Sequence, residues 1–246
     1  MADIVADIEG IKPANLQFNE RAKILCANYK VPLLANELTN SYVVLDENPK
    51  LCFKTMELQN SFTQGKFSTR ISRIQTEHLI KKAFALDAYK VKTILDTTGG
   101  LGHDAFILAL LGQKVTVVEK NIGLCILLEE ALNALPELPY FIKAKSNLTI
   151  INGDSREFLK TSQNFDVIYV DPMFNSQKKL KRSKQMEFLD SYLDEYDDPS
   201  KDFYKEHFQR LVVKKELRAT TGIKDSSAIS FKGSSIRYDV YLKGEK

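Results

Sequence analysis

Four carboxylates stand where short apolar runs stop. Asp96 follows Ile94-Leu95, Glu119 follows residues 114–118, Asp154 follows 148–151, and Asp171 follows 166–170. The last of these opens Asp171-Pro172-Met173-Phe174. That set suits the methylation of an exocyclic amine on a base. Such an amine is a poor nucleophile, because its lone pair is delocalised into the ring. Asp171 and the carbonyl of Pro172 can accept its two N–H bonds and aim the lone pair, while Phe174 offers a face on which the base stacks. The proline also restricts Asp171 to an extended backbone and stiffens the loop.

Between Asp96 and the next helical stretch lie Gly99, Gly100 and Gly102, then His103 and Asp104. Strand, glycine turn and helix bring bare backbone N–H groups against a ligand. A pyrophosphate has little use for the carboxylate before the glycines, whereas the aminoacyl end of S-adenosylmethionine (SAM) can use one. Glu119, 23 positions after Asp96, can accept from both ribose hydroxyls, at about 1.5–3 kcal/mol for each charge-assisted bond. Asp154 can accept from the adenine amino group or simply cap the helix that starts at Ser155, and both readings stay open. SAM accounts for all four strand ends better than NAD does, since NAD gives no use to the Asp-Pro-Met-Phe loop.

The elements that must hold these residues follow from periodicity. Apolar runs at 93–95, 114–118, 148–151, 166–170 and 210–213 alternate with helical patterns at 104–111, 122–135, 155–162 and within 184–209. Buried strands alternating with helices imply a parallel sheet covered on both faces. Residues 228–232 and 238–242 flank Gly233-Ser234-Ser235 as an antiparallel hairpin. The expected fold is therefore an α/β, Rossmann-like, seven-stranded class I methyltransferase sheet closed by a C-terminal hairpin. Residues 1–74 read as a small α+β segment, with a helix at 22–29, strands at 42–45 and 51–56, and a polar connector at 64–73. Residues 75–246 form the catalytic domain, which opens on a helix at 75–86.

At 246 residues and 43% hydrophobic composition, the chain can bury a full core. No apolar run approaches the roughly 18–20 residues of a membrane span, and the acids near the N-terminus do not suit a signal peptide. Cys26, Cys52 and Cys125 stand apart with no paired spacing. A reduced, cytoplasmic setting without a metal site or disulfide framework is expected. The net charge is only +3, so the position of the positive charges matters more than their sum. Lys178, Lys179, Lys181, Arg182 and Lys184 follow the catalytic loop directly. With Lys66, Arg70 and Arg73 of the connector, and Lys214, Lys215 and Arg218 after the fifth strand, they predict a phosphate-binding rim for a nucleic acid. A charge run of this kind is otherwise a solvated face. His78 and His207 suit packing or surface roles, and His103 sits in the cofactor turn.

Residues 96–106, Val118-Glu119-Lys120-Asn121, Val170-Asp171-Pro172-Met173-Phe174, Val212-Val213-Lys214 and 232–241 together resemble the RsmJ family. Its members are SAM-dependent methyltransferases acting on a guanine N2 in small-subunit ribosomal RNA. The resemblance runs from about residue 33 to 243. It implies cofactor contacts at His103-Asp104, Glu119-Lys120, Asp154-Ser155 and Asp171, and 16S ribosomal RNA or the small subunit as partner. The chain departs from the family pattern at Thr97, Gly99, His103 and Asn175, where that pattern has Ala, Ala, Arg and Pro. The alternatives are an adenine-N6 methyltransferase on RNA or DNA, and a non-catalytic RNA-binding factor of the same fold. Guanine carries N1–H beside its amino group and gives Asp171 two donors. Adenine shows a bare acceptor there.

Overall fold

The computed structural model describes residues 7–36, 40–87, 90–161, 165–172, 183–193, 198–206, 208–220, 223 and 227–243. The N-terminal part builds a four-stranded sheet in the order β1 (Ile11–Pro13), β2 (Ser41–Leu45), β3 (Lys50–Phe53) and β4 (Met56–Gln59). β1 runs parallel to β2 and the other pairs are antiparallel. The run at 51–56, expected as one strand, is two. Lys54 takes a left-handed backbone (φ 53°), and the chain folds back so that Phe53 pairs with Met56. Helix α1 (Asn19–Tyr29) buries Ala22 and Leu25 and ends at left-handed Lys30.

The polar connector proves to be helix α2 (Gly65–Ser72). Phe67 and Ile71, four residues apart, share one face and pack against the main core with Phe62. The helix expected at 75–86 is instead a short 3-10 turn (Ile74–Thr76) followed by α3 (His78–Ala83).

The rest of the chain alternates as its periodicity requires. In order come β5 (Thr93–Asp96), α4 (His103–Leu110), β6 (Lys114–Glu119), α5 (Ile122–Asn133), α6 (Pro139–Ser146) and β7 (Leu148–Asn152). Next are α7 (Ser155–Thr161), β8 (Val167–Val170), α8 (Lys184–Tyr192), α9 (Ser200–Lys205) and β9 (Arg210–Glu216). The hairpin β10 (Ile229–Lys232) and β11 (Ile236–Leu242) closes the series. The seven-stranded sheet has the order β10-β11-β9-β8-β5-β6-β7. β5 to β9 are parallel, and β11 enters antiparallel between β9 and β10. Strand order reverses at β5, whose neighbours are β6 and β8, so the ligand crevice of such a sheet opens at its carboxyl end.

Alternation along β8 and β9 divides their side chains between two cores. Val167, Tyr169 and Val212 face the core that holds α4. Ile168, Val170, Leu211 and Val213 face the core that holds Phe203 of α9. One face of the small sheet carries a small cluster of its own, Tyr42, Val44 and Cys52, and the other shares a core with the larger sheet's helices. Leu25, Val43 and Leu51 pack with Leu124, Leu127, Phe188 and Tyr192 of α5 and α8. Arg21 adds ion pairs to Glu129 (2.8 Å) and Glu130 (2.6 Å) on α5. Each buried apolar side chain contributes roughly 1.5–3 kcal/mol, and a partly exposed ion pair about 1 kcal/mol or less. Apolar packing therefore dominates this junction.

Candidate active site

The glycine turn between β5 and α4 is tight because its neighbours press on it. A Cβ on Gly99 would lie 2.4 Å from Val117 Cγ1 of β6. At Gly102 the backbone is left-handed (φ 70°), and a Cβ would meet Leu128 of α5 at 2.5 Å. The small sheet also grips the turn, through Asn60 Nδ2 donating to the Leu101 carbonyl (3.0 Å) and through buried Leu101 itself. The start of α5 is held in the same way: Asp7 Oδ1 accepts from the Ile122 N–H (3.0 Å).

Two buried acids lie against this turn. Asp96 keeps 2% of its surface exposed, and its Oδ1 accepts from the Thr98 N–H (3.1 Å). Burial pushes its carboxyl up to about 7, helped by Asp171, Asp104 and Glu119 and opposed by the Thr98 N–H. Glu119 spans two loops: Oε2 accepts from the Gly100 N–H (2.7 Å) and Oε1 from the Asn121 N–H (2.8 Å). Burial raises its pKa as well, and those two amides resist the rise.

A second cluster sits beside the first. Asp104, in the first turn of α4, accepts from Arg70 Nη1 (2.7 Å), Lys214 Nζ (2.8 Å) and Tyr169 Oη (2.7 Å). Burial alone would raise its pKa, but Lys214 and Arg70 hold the carboxyl well below the ordinary range. Arg70 also donates to both oxygens of Glu77 (2.7 and 3.2 Å). Lys214 Nζ donates in addition to Asp171 Oδ2 (2.6 Å). Burial works against the Lys214 ammonium, and the two carboxylates more than reverse it, so its pKa is raised. Asp171 is the more open of the two carboxylates on Lys214, with 31% of its side chain exposed against 7% for Asp104. Its enclosure raises its pKa, Lys214 opposes the rise and Asp104 adds to it. The Asp171 N–H donates to Thr98 Oγ1 (2.7 Å), which ties the end of β8 to the glycine turn.

The expected site residues are not all brought together. Asp96, Gly100, Gly102, His103, Asp104, Glu119 and Asp171 converge where β5, β6 and β8 end. Asp154 is exposed and caps α7, its Oδ1 accepting from Arg156 N (2.7 Å) and Glu157 N (3.3 Å), with Ser155 as the first helical residue. Lys120 is exposed just beyond β6, and Asn152 Nδ2 donates to its carbonyl (3.0 Å). Pro172 is buried beside Asp171, while Met173 and Phe174 lie outside the described residues.

The basic residues separate by direction. Lys66, Arg73, Lys184 and Arg218 are exposed, whereas Lys178, Lys179, Lys181 and Arg182 lie outside the described residues, as does His207. Arg70 and Lys214, expected on a phosphate-facing rim, turn inward to carboxylates instead. Lys215 points to the opposite face of β9, where its Nζ lies 2.8 Å from Asp198. Consecutive strand residues alternate faces, so two adjacent lysines cannot act as one patch. His103 stacks on Phe67 at 4.5 Å between ring centroids, and burial lowers its pKa to about 4. Periodicity along α2 could have placed Phe67 against the turn. Nothing local could have found Tyr169 or the Lys214 contacts.

Burial makes ionising the three carboxyls at the strand ends unfavourable in the ligand-free protein, and a cationic cofactor would favour their charged forms. A seven-stranded sheet with a reversed last strand, a glycine turn at its switch point and acids around it defines a SAM-dependent methyltransferase. Residues 26–243 match the family model of SAM-dependent methyltransferases. Ribosomal RNA small subunit methyltransferase J of Francisella tularensis subsp. novicida is 31% identical over 210 residues, covering 82% of this chain and 87% of that protein. The protein of the same name from Francisella philomiragia is 30% identical, covering 82% and 88%. The chain belongs to the ribosomal RNA small subunit methyltransferase J family. The crystal structure of a SAM-dependent methyltransferase from Neisseria gonorrhoeae shares the fold, with a TM-score of 0.71 at 22% identity over 95% of each chain. Among the described residues no group of three or more side chains suits a metal ion, and no helix is long and apolar enough to cross a membrane.

Proposed function

We propose that this protein methylates the exocyclic N2 of a guanine in 16S ribosomal RNA. One observation carries the reading: a partly exposed carboxylate, Asp171, is fixed at the carboxyl end of β8 by Lys214 and by its own N–H bond to Thr98, next to the glycine turn. The name of the Francisella relatives supports a ribosomal RNA substrate. SAM supplies a methyl group on a cationic sulfur, electrophilic enough to react with a weak amine as the carbon–sulfur bond breaks. Asp96, Gly100, Gly102, His103, Asp104, Glu119, Lys120, Asp154 and Ser155 would hold it. The acids among them complement its positive charge.

Asp171 accepts the guanine N2–H and N1–H and so aims the amine lone pair. The Pro172 carbonyl accepts the second N2–H, and Phe174 holds the extruded base by stacking. The extra proton on nitrogen after transfer passes to Asp171 and on to water. Asp171 therefore orients first and accepts a proton second. Lys66, Arg73 and Lys184, with the basic run before Lys184, meet the RNA phosphates. The small sheet gives the RNA a second surface beside the crevice.

The test uses labelled SAM and small ribosomal subunits lacking the modification, digested afterwards to nucleosides. Label in N2-methylguanosine is expected. Label in N6-methyladenosine would replace guanine by adenine, and failure to bind SAM in a calorimeter would leave only an RNA-binding factor.

A further inference from the structure

Lys214 lies 43 residues from Asp171 and 110 from Asp104 in sequence, yet its ammonium touches both carboxylates, at 2.6 and 2.8 Å. It reaches them because Val212 and Lys214 share the face of β9 that looks towards α4, while Lys215 takes the other face. The far side of Lys214 is immobilised too. Asp104 is held by Arg70 Nη1 (2.7 Å) and Tyr169 Oη (2.7 Å), and Arg70 is held in turn by Glu77 (2.7 Å). A chain of short contacts thus runs from α2 through α4 and β9 to the open carboxylate at the end of β8.

We propose that Lys214 is a positioning residue for methyl transfer, fixing the Asp171 carboxylate as an aimed acceptor for the target amine through an ammonium that Asp104, Arg70 and Tyr169 hold in place. The inference rests on the guanine-N2 reading above. Lys214 holds Oδ2 of Asp171, and the side chain is still 31% exposed at the end of β8. The main chain of Asp171 is tied to Thr98, so the carboxylate is restrained at both ends. A flexible carboxylate would sample several directions, and misplacement by about an ångström is enough to lose roughly 100-fold in rate.

The ammonium also sets which form of Asp171 meets the substrate. The charged and titratable groups facing Asp171 are Lys214 of β9, Asp104 of α4, Asp96 of β5, Arg70 of α2 with its partner Glu77, Tyr169 of β8 and Tyr238 of β11. Without Lys214, Asp171 and Asp104 oppose each other, and among the described residues Arg70 is the cation left acting on Asp171. Asp171 then holds a proton to higher pH. A protonated Asp171 cannot accept two N–H bonds, so the rate should recover as pH rises.

Single-turnover methylation of small subunits, at saturating SAM from pH 5 to 9, tests this. Lys214→Met is expected to lower the rate at pH 7 by about tenfold or more and to move the acid limb up by about one unit. SAM affinity at pH 8 and above should stay within about threefold, and Lys214→Arg should bring the limb back. An unmoved limb, or a loss equal at every pH, overturns the proposal. If Lys214→Met does not fold, Asp104→Asn keeps the ammonium and releases it from one carboxylate, so the limb should move down; a limb that stays or rises overturns the proposal equally. Wild-type protein that binds SAM but labels no guanine would refute the guanine reading instead, before any variant is made.

Discussion

Glu119 and Asp104 are both buried carboxylates within one crevice, and they are satisfied in opposite ways. Glu119 accepts from the backbone amides of Gly100 and Asn121, which belong to the loops after β5 and β6. Asp104 accepts from side chains that arrive from α2, β8 and β9. Amide dipoles come with the fold of the loops and cannot be dislodged without remodelling them. A set of side-chain cations can be re-tuned by one substitution on a distant element. The cofactor half of the crevice is thus a property of the turn. The catalytic half is a property of the assembled tertiary structure.

The largest expected effect lies at the catalytic end. Asp171→Ala should abolish transfer while SAM affinity stays within about tenfold, roughly 1.4 kcal/mol. Turnover unchanged in that variant would remove Asp171 from the chemistry and leave Lys214 with nothing to position. Next comes the buttress. Arg70→Met removes one cation from buried Asp104 and the partner of Glu77. The cost should be about 2–3 kcal/mol in denaturant unfolding at neutral pH. A loss under about 0.5 kcal/mol would mean that Lys214 and Tyr169 alone suffice and that Arg70 belongs to the surface after all.

Glu119→Gln probes the amide-held acid. The amide side chain keeps one acceptor oxygen but turns an N–H₂ donor towards a backbone N–H, so one loop should lose its tether. The expected outcome is about 1–3 kcal/mol in stability or in SAM affinity, seen by calorimetry. A change smaller than that of Arg70→Met supports the contrast between loop-held and cation-held acids. A larger one reverses it.

That contrast also marks how far the sequence could be read. Strand ends, turn glycines and the acids beside them are local patterns, and β5, β6 and α4 fall within a residue of their expected bounds. Asp104 was legible as a cofactor-turn residue, but its partners were not, because Arg70 and Lys214 look like any other exposed cation until tertiary contacts turn them inward. The same blindness affected the connector at 64–73, whose polar composition hides Phe67 and Ile71 on one face of α2. It affected α6 as well. There Tyr140 and Ile142 are exposed while Phe141 and Ala144 are buried, so hydrophobicity does not mark the inner face. At 51–56 the apolar run concealed a turn at Lys54, a residue type that does not advertise a left-handed backbone.

The smallest effect, and the one that ties the two halves together, concerns Asp96. Its carboxyl is raised to about 7 by burial and by the neighbouring acids Asp171, Asp104 and Glu119. A carboxyl raised in the folded state is easier to keep protonated, so ionising it between its ordinary range and about pH 7 costs the ligand-free protein stability. A cationic ligand favours the ionised form, and a proton must therefore leave when SAM binds below pH 7. Affinity should improve by about tenfold between pH 6 and pH 8 and level off above that. Calorimetry in buffers of different ionisation enthalpy should show about half a proton released at pH 7. Because Lys214 neutralises Asp171 and Asp104, Lys214→Met should push this transition to higher pH. If it stays at 7 in that variant, the two acid clusters are electrostatically independent, and the cofactor turn answers only to its own amides.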